Sequence, residues 1–371
     1  MRRVNSSHCV SATRLNCECA ALDHSRNCFT GCDATAGSLT VVITTEAPTR
    51  GGARGGRWVT AACWSAAAPV AAGAVLRLTG LERGPLVLTT AFTPYVAALA
   101  WVVAVPALAL RRRAPAAVAA LAALALLGAV APRALPDDRP PAAGPTLRLL
   151  TANLRLGSAD PAGLVELVRA RRVDVLTVQE LTPRLAADLD RLGLATLLPH
   201  RSLSPEVGAT GSGLYARHPL SDTGHRRNRG FFFTQAYGTV AVPGAPPLRV
   251  ESAHPAAPYA VDVVPDWWTD QRAQPPATPT GGLSVLAGDF NATLDHAALR
   301  DLIATGYTDA ADATGTGLGG TWGPYDGDPI PPVTIDHVLV DRRIAVRAAG
   351  TWPVPGSDHR ALLAELRLPA A

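Results

Sequence analysis

At 371 residues the chain is long enough for two or three domains. Hydrophobic residues make up 48% and charged residues 17%, with a mean hydropathy of +0.15, which points to membrane segments and excludes a disordered charged tail. Six Cys exclude a disulfide scaffold. All 34 basic residues are Arg, and they are unevenly spread: residues 1–146 hold 14 Arg against 7 acids, residues 147–371 hold 20 against 23. The slightly acidic later part disfavours a broad electrostatic footprint for nucleic acid.

Residues 1–57 lack hydrophobic periodicity and carry Cys9, Cys17, Cys19, Cys28 and Cys32, with His8 and His24 nearby. Cys17-x-Cys19 is too tight for a zinc site, and Cys28-x3-Cys32 stands alone. The composition predicts a disordered leader. Three uncharged apolar stretches follow, Trp58–Leu76, Leu86–Leu110 and Ala114–Pro132. A membrane helix takes about 20 residues, so residues 58–132 are expected to form a membrane domain with two or three transmembrane helices. The second stretch is the clearest, with Phe92, Tyr95 and Trp101 among Val, Leu and Ala; its Pro94 and Pro106 are tolerable in a membrane. The first is weaker, being Ala-rich with Pro69 and Gly73. Such stretches, repeated and starting late, fit neither core helices nor a signal peptide.

Arg111, Arg112 and Arg113 fill the short loop between the second and third stretches, which places that loop in the cytoplasm. The third span then runs outward. The expectation is a multi-pass protein of the cell membrane with everything after Pro132 on the extracytoplasmic side. Arg50, Arg54 and Arg57 before the first span agree with that orientation.

Residues 133–146 read as a Pro-rich linker. Beyond them strands and helices alternate over residues 147–371, the size of one α/β domain. Leu147–Leu154 reads as a strand. Asp160 caps a helix that opens at Pro161 and runs to about Arg172. A buried strand, Val173–Leu181, and a helix, Pro183–Leu192, come next. Strands are predicted at Gly213–Ala216, Phe231–Val242, Leu248–Ala253 and Leu283–Ala287. A helix over His296–Ile303, capped by Asp295, precedes strands at Ile335–Val340 and Ala361–Leu368.

The polar residues that stand out lie at strand ends, where a scaffold presents reactive groups. They are Asn153, Glu180, His254, Asp289 and Asn291, Asp336, and Asp358 with His359. Carboxylate oxygens are hard ligands and suit Mg²⁺ or Mn²⁺ rather than zinc. Paired His and Asp can draw a hydroxide from water. No G-x-S-x-G elbow, P-loop or dinucleotide fingerprint is present, and adjacent Ser357, Asp358 and His359 cannot form a triad among themselves.

In this order, the segments TANL, VQE, SAHP, AGDFN, IDHV and SDH resemble the endonuclease/exonuclease/phosphatase superfamily across residues 147–371. The apolar front resembles the membrane-anchored bacterial branch, some of whose members are linked to glycopeptide resistance. The resemblance implies a two-sheet α/β sandwich of the deoxyribonuclease-I-like type, preceded by transmembrane helices. It also implies a role for each residue. Glu180 is the metal-binding Glu, Asn153 stands beside the metal shell, and Asp358 belongs to that shell or its surroundings. Asp289 orients the attacking water and Asn291 contacts the phosphate. His254 stabilises the pentacovalent phosphate, and Asp336 fixes the second catalytic histidine, His359. Relatives often carry an acid two positions after the first Asn. Here that residue is Arg155, which favours a single-metal site.

The expected function is a membrane-anchored, divalent-metal-dependent hydrolase of a phosphodiester, phosphomonoester or pyrophosphate. The rival is a non-catalytic membrane module of the same fold that binds a phosphorylated ligand. Between nucleic acid and a lipid-linked phosphate as substrate the sequence leaves the choice open. Plainer readings run beside these. Asp289 and Asn291 favour a turn. His337 points to the face opposite Asp336. Arg226, Arg227 and Arg229 read as a solvated loop, or a cradle for a phosphate or headgroup. Trp267 and Trp268 read as loop or core packing, or an interfacial anchor.

Overall fold

The computed structural model of the protein describes residues 51–371 apart from 139–141, 231 and 328. It also describes two short strands, β1 (His8–Val10) and β2 (Asn27–Phe29), which pair in parallel. The leader reading of residues 1–57, with its Cys/His cluster, otherwise lies outside the described residues. The chain divides into a unit of Met1–Ala62 and a unit of Cys63–Ala371, and the second holds both six-stranded sheets.

The apolar region forms α1 (Gly51–Thr79), α2 (Leu86–Thr90), α3 (Thr93–Ala109) and α4 (Arg113–Val130). Gly56–Thr79 and Arg113–Ala134 are long and apolar enough to cross a membrane, by length and composition; α3, at 17 residues, is shorter. The continuous second span read from the sequence is therefore corrected to two helices. Pro94 is the reason: it has no N–H to continue a helix from α2, and the Thr93 hydroxyl bonds the Thr90 carbonyl instead, at 2.7 Å. Small side chains bring α1, α3 and α4 together, as in Ala67 with Ala104 and Ala119, and Val70 with Ala100 and Ala123. Facing outward, Leu99, Val102, Val105, Leu108, Leu121 and Leu124 are each more than half exposed.

The remainder is a sandwich. Its elements are β3 (Thr146–Asn153), α5 (Pro161–Ala170), β4 (Val175–Gln179), α6 (Pro183–Arg191), α7 (Leu194–Leu197), β5 (His200–Ser204), β6 (Ser212–Ala216), β7 (Leu220–Arg227), β8 (Thr234–Val240) and β9 (Leu248–Ala253). Then come α8 (Val264–Arg272), β10 (Leu283–Asp289), α9 (Ala297–Ala304), β11 (Tyr307–Asp309), α10 (Ala310–Ala313), β12 (Asp336–Asp341), β13 (Ala345–Pro353) and β14 (Arg360–Arg367). One six-stranded sheet has the order β11-β12-β10-β9-β8-β7, the other β13-β14-β3-β4-β6-β5. Leu147, Leu149, Val175, Val250, Val285, Val338 and Leu366 are among the side chains that fill the space between them. Helices α5, α6 and α7 cover the outer face of the second sheet, and α8 and α9 that of the first.

Local chemistry explains several boundaries. Asp160 accepts from the Ala162 and Gly163 amides and opens α5 as expected. Asp295, by contrast, does not cap α9. His296 occupies that position, and Asp295 turns inward to Arg77 and Arg133. The reading of Arg226 and Arg227 as loop residues is corrected as well: both lie in β7, where Arg226 pairs with Glu251 and Arg227 with Glu206. Trp267 is fully buried under the first sheet.

Candidate active site

Strand direction gathers the polar residues at one end of the sandwich. β3 and β4 run parallel and end at Asn153 and Gln179, with Glu180 next. β9 and β10 run parallel, with His254 just after the first and Asp289 ending the second. β12 and β14 run antiparallel to these neighbours, so their starting residues reach the same end. Asp336 pairs in register with Asp289, and His359 directly precedes β14. Gly288 allows this closeness, since a Cβ there would stand 1.9 Å from the Ala253 carbonyl oxygen.

Asn153 ties the two sheets together. Its Nδ2 donates to Glu180 Oε1 at 3.1 Å and to Asp289 Oδ2 at 3.0 Å. The loop after β3 closes over Glu180, and the Leu156 amide donates to Oε2 at 2.5 Å. Glu180 adopts φ 60°, a left-handed conformation costly for a side chain of this size. Asn291, at φ 49°, donates its amide to Asp289 Oδ1 at 2.8 Å, so the turn expected of this pair is present. The Asn291 side chain donates to the Pro255 carbonyl at 3.1 Å.

Asp336 and His359 are in direct contact, with Oδ2 and Nδ1 2.8 Å apart. The other ring nitrogen, Nε2, lies 3.7 Å from Asp289 Oδ2. His254 Nε2 lies 3.9 Å from the same oxygen, and the Phe233 ring stacks on the His254 imidazole at 4.2 Å. Thr321 Oγ1 accepts the amides of Ile335 and Asp336, which sets the start of β12. Ser357 Oγ donates to the Asn153 carbonyl and accepts the His359 amide, joining the first and last motifs. Asp358 receives the Trp322 indole N–H at 3.2 Å and has Arg155 at 3.8 Å.

Burial sets the protonation states. It pushes the Asp289 carboxyl up to about 7, with His359 opposing and Asp336 adding to the rise. Burial alone lowers His359, but Asp336 and Asp289 reverse this and carry the imidazole to about 10. His254 falls to about 3 through burial, with His359 adding to it. It is neutral at pH 7 in the free site. Burial also raises Glu180, against bonds from Leu156 and Asn153.

The donor set fits a divalent cation. Glu180 and Asp289 both resist ionisation in this setting, Asp336 Oδ1 is buried without a partner, and hard oxygen donors dominate. Among the described residues, Asp289, Asp336 and His359 bring one ligand atom each within 4.8 Å of one another. The Asp336–His359 hydrogen bond uses Oδ2 and Nδ1 and leaves Asp336 Oδ1 and His359 Nε2 outside it.

Every site residue named from the sequence lies in this region. His337 faces the other way, as its strand position predicts, and bonds Asp309 and the Ala292 carbonyl. Phe233, Thr321 and Trp322 were not singled out from the sequence. Nor was the segment from Val87 to Phe92, although Val87, Leu88, Ala91 and Phe92 line a pocket with the polar residues. Only the run of Phe that ends at Phe233 offered a sequence signal, and it does not say which ring meets His254: Phe232 beside it is exposed.

The sequence profile of the Endonuclease/Exonuclease/phosphatase family matches residues 150–359. Among solved structures, an endonuclease/exonuclease/phosphatase from Beutenbergia cavernae is 22% identical, covering 60% of this chain and 72% of its own, with a TM-score of 0.50. Sphingomyelinase C from Streptomyces griseocarneus is 17% identical over 60% and 99%, TM-score 0.43. A mannosyl-6-phosphatase from Bacteroides thetaiotaomicron is 16% identical over 59% and 99%, TM-score 0.45. No curated protein matches the chain.

Proposed function

The chain belongs to the endonuclease/exonuclease/phosphatase family and is a hydrolase of phosphate esters, and from that membership we propose a membrane-anchored, Mg²⁺- or Mn²⁺-dependent phosphoesterase whose catalytic domain faces the exterior. The observation that carries this reading is the meeting of Asn153, Glu180, His254, Asp289, Asp336 and His359 at one end of both sheets.

Glu180, Asn153 and Asp358 would hold the metal, which supplies charge neutralisation at a phosphate oxygen when bound. In the reaction a water oxygen bonds to phosphorus as the ester P–O bond breaks, and the leaving oxygen takes up a proton. Asp289 orients the water through the oxygen that also faces both histidines. Asp336 fixes the tautomer and orientation of His359, whose Nε2 is left to exchange a proton with the reacting atoms. His254, neutral at pH 7, donates its one ring N–H to a phosphate oxygen. The Asn291 amide contacts another without repelling it.

The membrane assignment is supported by the apolar, outward-facing side chains of α3 and α4. The orientation is supported by the ends of the helices. α1 and α4 finish beside Asp295 in the catalytic domain, while Arg111–Arg113 cap the opposite end of the α3–α4 hairpin. A C-terminal fusion to a reporter that matures only outside the cytoplasm is expected to be active. Activity of a strictly cytoplasmic reporter at that position would reverse the topology. Glu180→Gln keeps the shape but removes a charge from the metal site, and most hydrolysis of a generic phosphodiester should be lost while the fold persists. Near-normal turnover of this variant at saturating Mg²⁺ would rule out the metal assignment.

A further inference from the structure

The pocket at the catalytic end has a volume of about 560 Å³ and two unlike sets of lining residues. One is polar, with Glu180, His254, Asp289, Asn291, Asp358 and His359. The other is apolar and includes Val87, Leu88, Ala91, Phe92, Tyr259 and Ile330. Four of those six come from the segment spanning α2 and the break before α3, within the apolar front of the chain. This wall is built into the catalytic domain. Val87 is fully buried among Ala253, Phe290 and Leu294, and its carbonyl lies 2.9 Å from His296 Nε2. Tyr95, at the start of α3, donates to the Pro332 carbonyl at 2.7 Å.

The opposite side of the same segment faces the apolar helices. Leu86, Thr89, Thr90 and Thr93 line a second cavity, of about 620 Å³, together with residues of α1, α3 and α4 such as Leu76 and Leu126. A single short helix, about 10 Å across with its side chains, thus separates the phosphate-handling residues from a groove among the membrane helices. Among the described residues, no Arg lines the catalytic pocket. A nucleic acid strand would bring several phosphates and calls for several cationic contacts. A hydrocarbon chain calls for the wall that is present.

We propose that the substrate is an amphiphile, with its phosphate at Glu180, Asp289 and His359 and its hydrocarbon chain against Leu88, Ala91 and Phe92 of the same pocket. The inference rests on the phosphoesterase reading and narrows it to lipid-like phosphates. α2 then serves as a specificity element as well as part of an anchor.

The test uses the full-length protein in a fixed detergent, with Mg²⁺ and a series of alkyl p-nitrophenyl phosphate diesters from methyl to octyl. Leaving group and reaction stay constant while the chain grows. A methylene withdrawn from water is worth about fourfold at most, so kcat/KM should climb steeply with chain length until the apolar lining is covered. Ala91→Trp takes up the space against that lining, and Leu88→Asn makes it polar at a half-exposed position that tolerates change. Each variant should cut the octyl-to-methyl ratio of kcat/KM by tenfold or more, with folding checked by circular dichroism. Partition into detergent is the same for all proteins and cannot produce a difference between them. A flat chain-length profile in the unaltered protein overturns the inference, and so does a steep profile that both variants retain. An oligonucleotide turned over faster than the octyl ester overturns it in favour of a nuclease. A protein inactive on every ester brings down the phosphoesterase reading itself, and this inference with it.

Discussion

The two regions of the molecule solve the packing problem in opposite ways. In the sandwich, aliphatic side chains from both sheets meet in a buried core. In the helical region, alanines with a few valines and Leu126 form the contacts, while most leucines face outward. Burying hydrocarbon drives the first arrangement, because water is the alternative environment. The second gains little from that force if the surroundings are lipid, so it relies on close approach of small residues. Where the regions meet, neither rule applies alone. Around Val87, which packs into the hydrophobic cluster beneath the first sheet, the junction adds directed polar contacts, with Asp295 between Arg77 and Arg133, Glu82 receiving the Ala297 amide, and His296 against the Val87 carbonyl. Apolar packing alone would let the domain slide over the helices, and the directed bonds add a fixed register for α2 over the pocket.

The largest expected effect belongs to the sandwich alone and concerns the Asp336–His359 pair. Asp336→Asn keeps the shape of the contact but removes the charge that raises the proton affinity of His359. Either Asp336→Asn or His359→Ala should lower turnover by about 10²–10⁴-fold. The double variant should be little worse than His359→Ala, since groups that act as a unit are not additive. Additive losses in single-turnover measurements would show that the residues act separately. With His359 at about 10, a rate that needs its neutral form should rise with pH through about 10, and that rise should vanish with His359 removed. Its persistence would move the essential base elsewhere, with Asp289, at about 7, the next to test.

How much of this was readable in the sequence depends on the same contrast. Central strands announced themselves by apolar runs, and the residues at their ends were found with them: Asn153 after LRLLTA, Glu180 after VLTVQ, Asp289 after LSVLAG. Edge strands did not. β7 reads LSDTGHRR and β13 reads AVRAAGTWP, both with one face in solvent and both with a register irregularity. Their pairing supplies what their composition does not. α8 was hidden by Pro265 and two tryptophans that look like loop residues until Trp267 is seen buried. Nothing local placed Val87 and Phe92 beside His254, because that proximity arises from how the helices sit on the sandwich. Asp295 was given a local role, helix capping, when a long-range one prevailed.

That long-range role leads to a smaller but more pointed test of the junction. Asp295 is fully buried; Arg133 grips both of its oxygens, at 2.8 and 2.6 Å, and Arg77 takes one at 2.5 Å. Replacing it by Ala strands two guanidinium groups in a poorly solvated place, and breaking a buried pair in this way costs about 3–5 kcal/mol. Thermal unfolding of the catalytic domain in detergent should shift downward accordingly. The charges need not be stabilising in themselves. A triple variant, Asp295→Leu with Arg77→Met and Arg133→Met, removes all three and refills the space with apolar volume, and such exchanges are often neutral or stabilising by about 1–4 kcal/mol. If the cluster serves chiefly to fix the position of α2, the triple variant should melt as high as the parent yet lose discrimination between long-chain and short-chain esters. Recovery of both stability and chain-length preference would mean that apolar packing positions α2 equally well, and the polar junction would then have no part in selecting substrate.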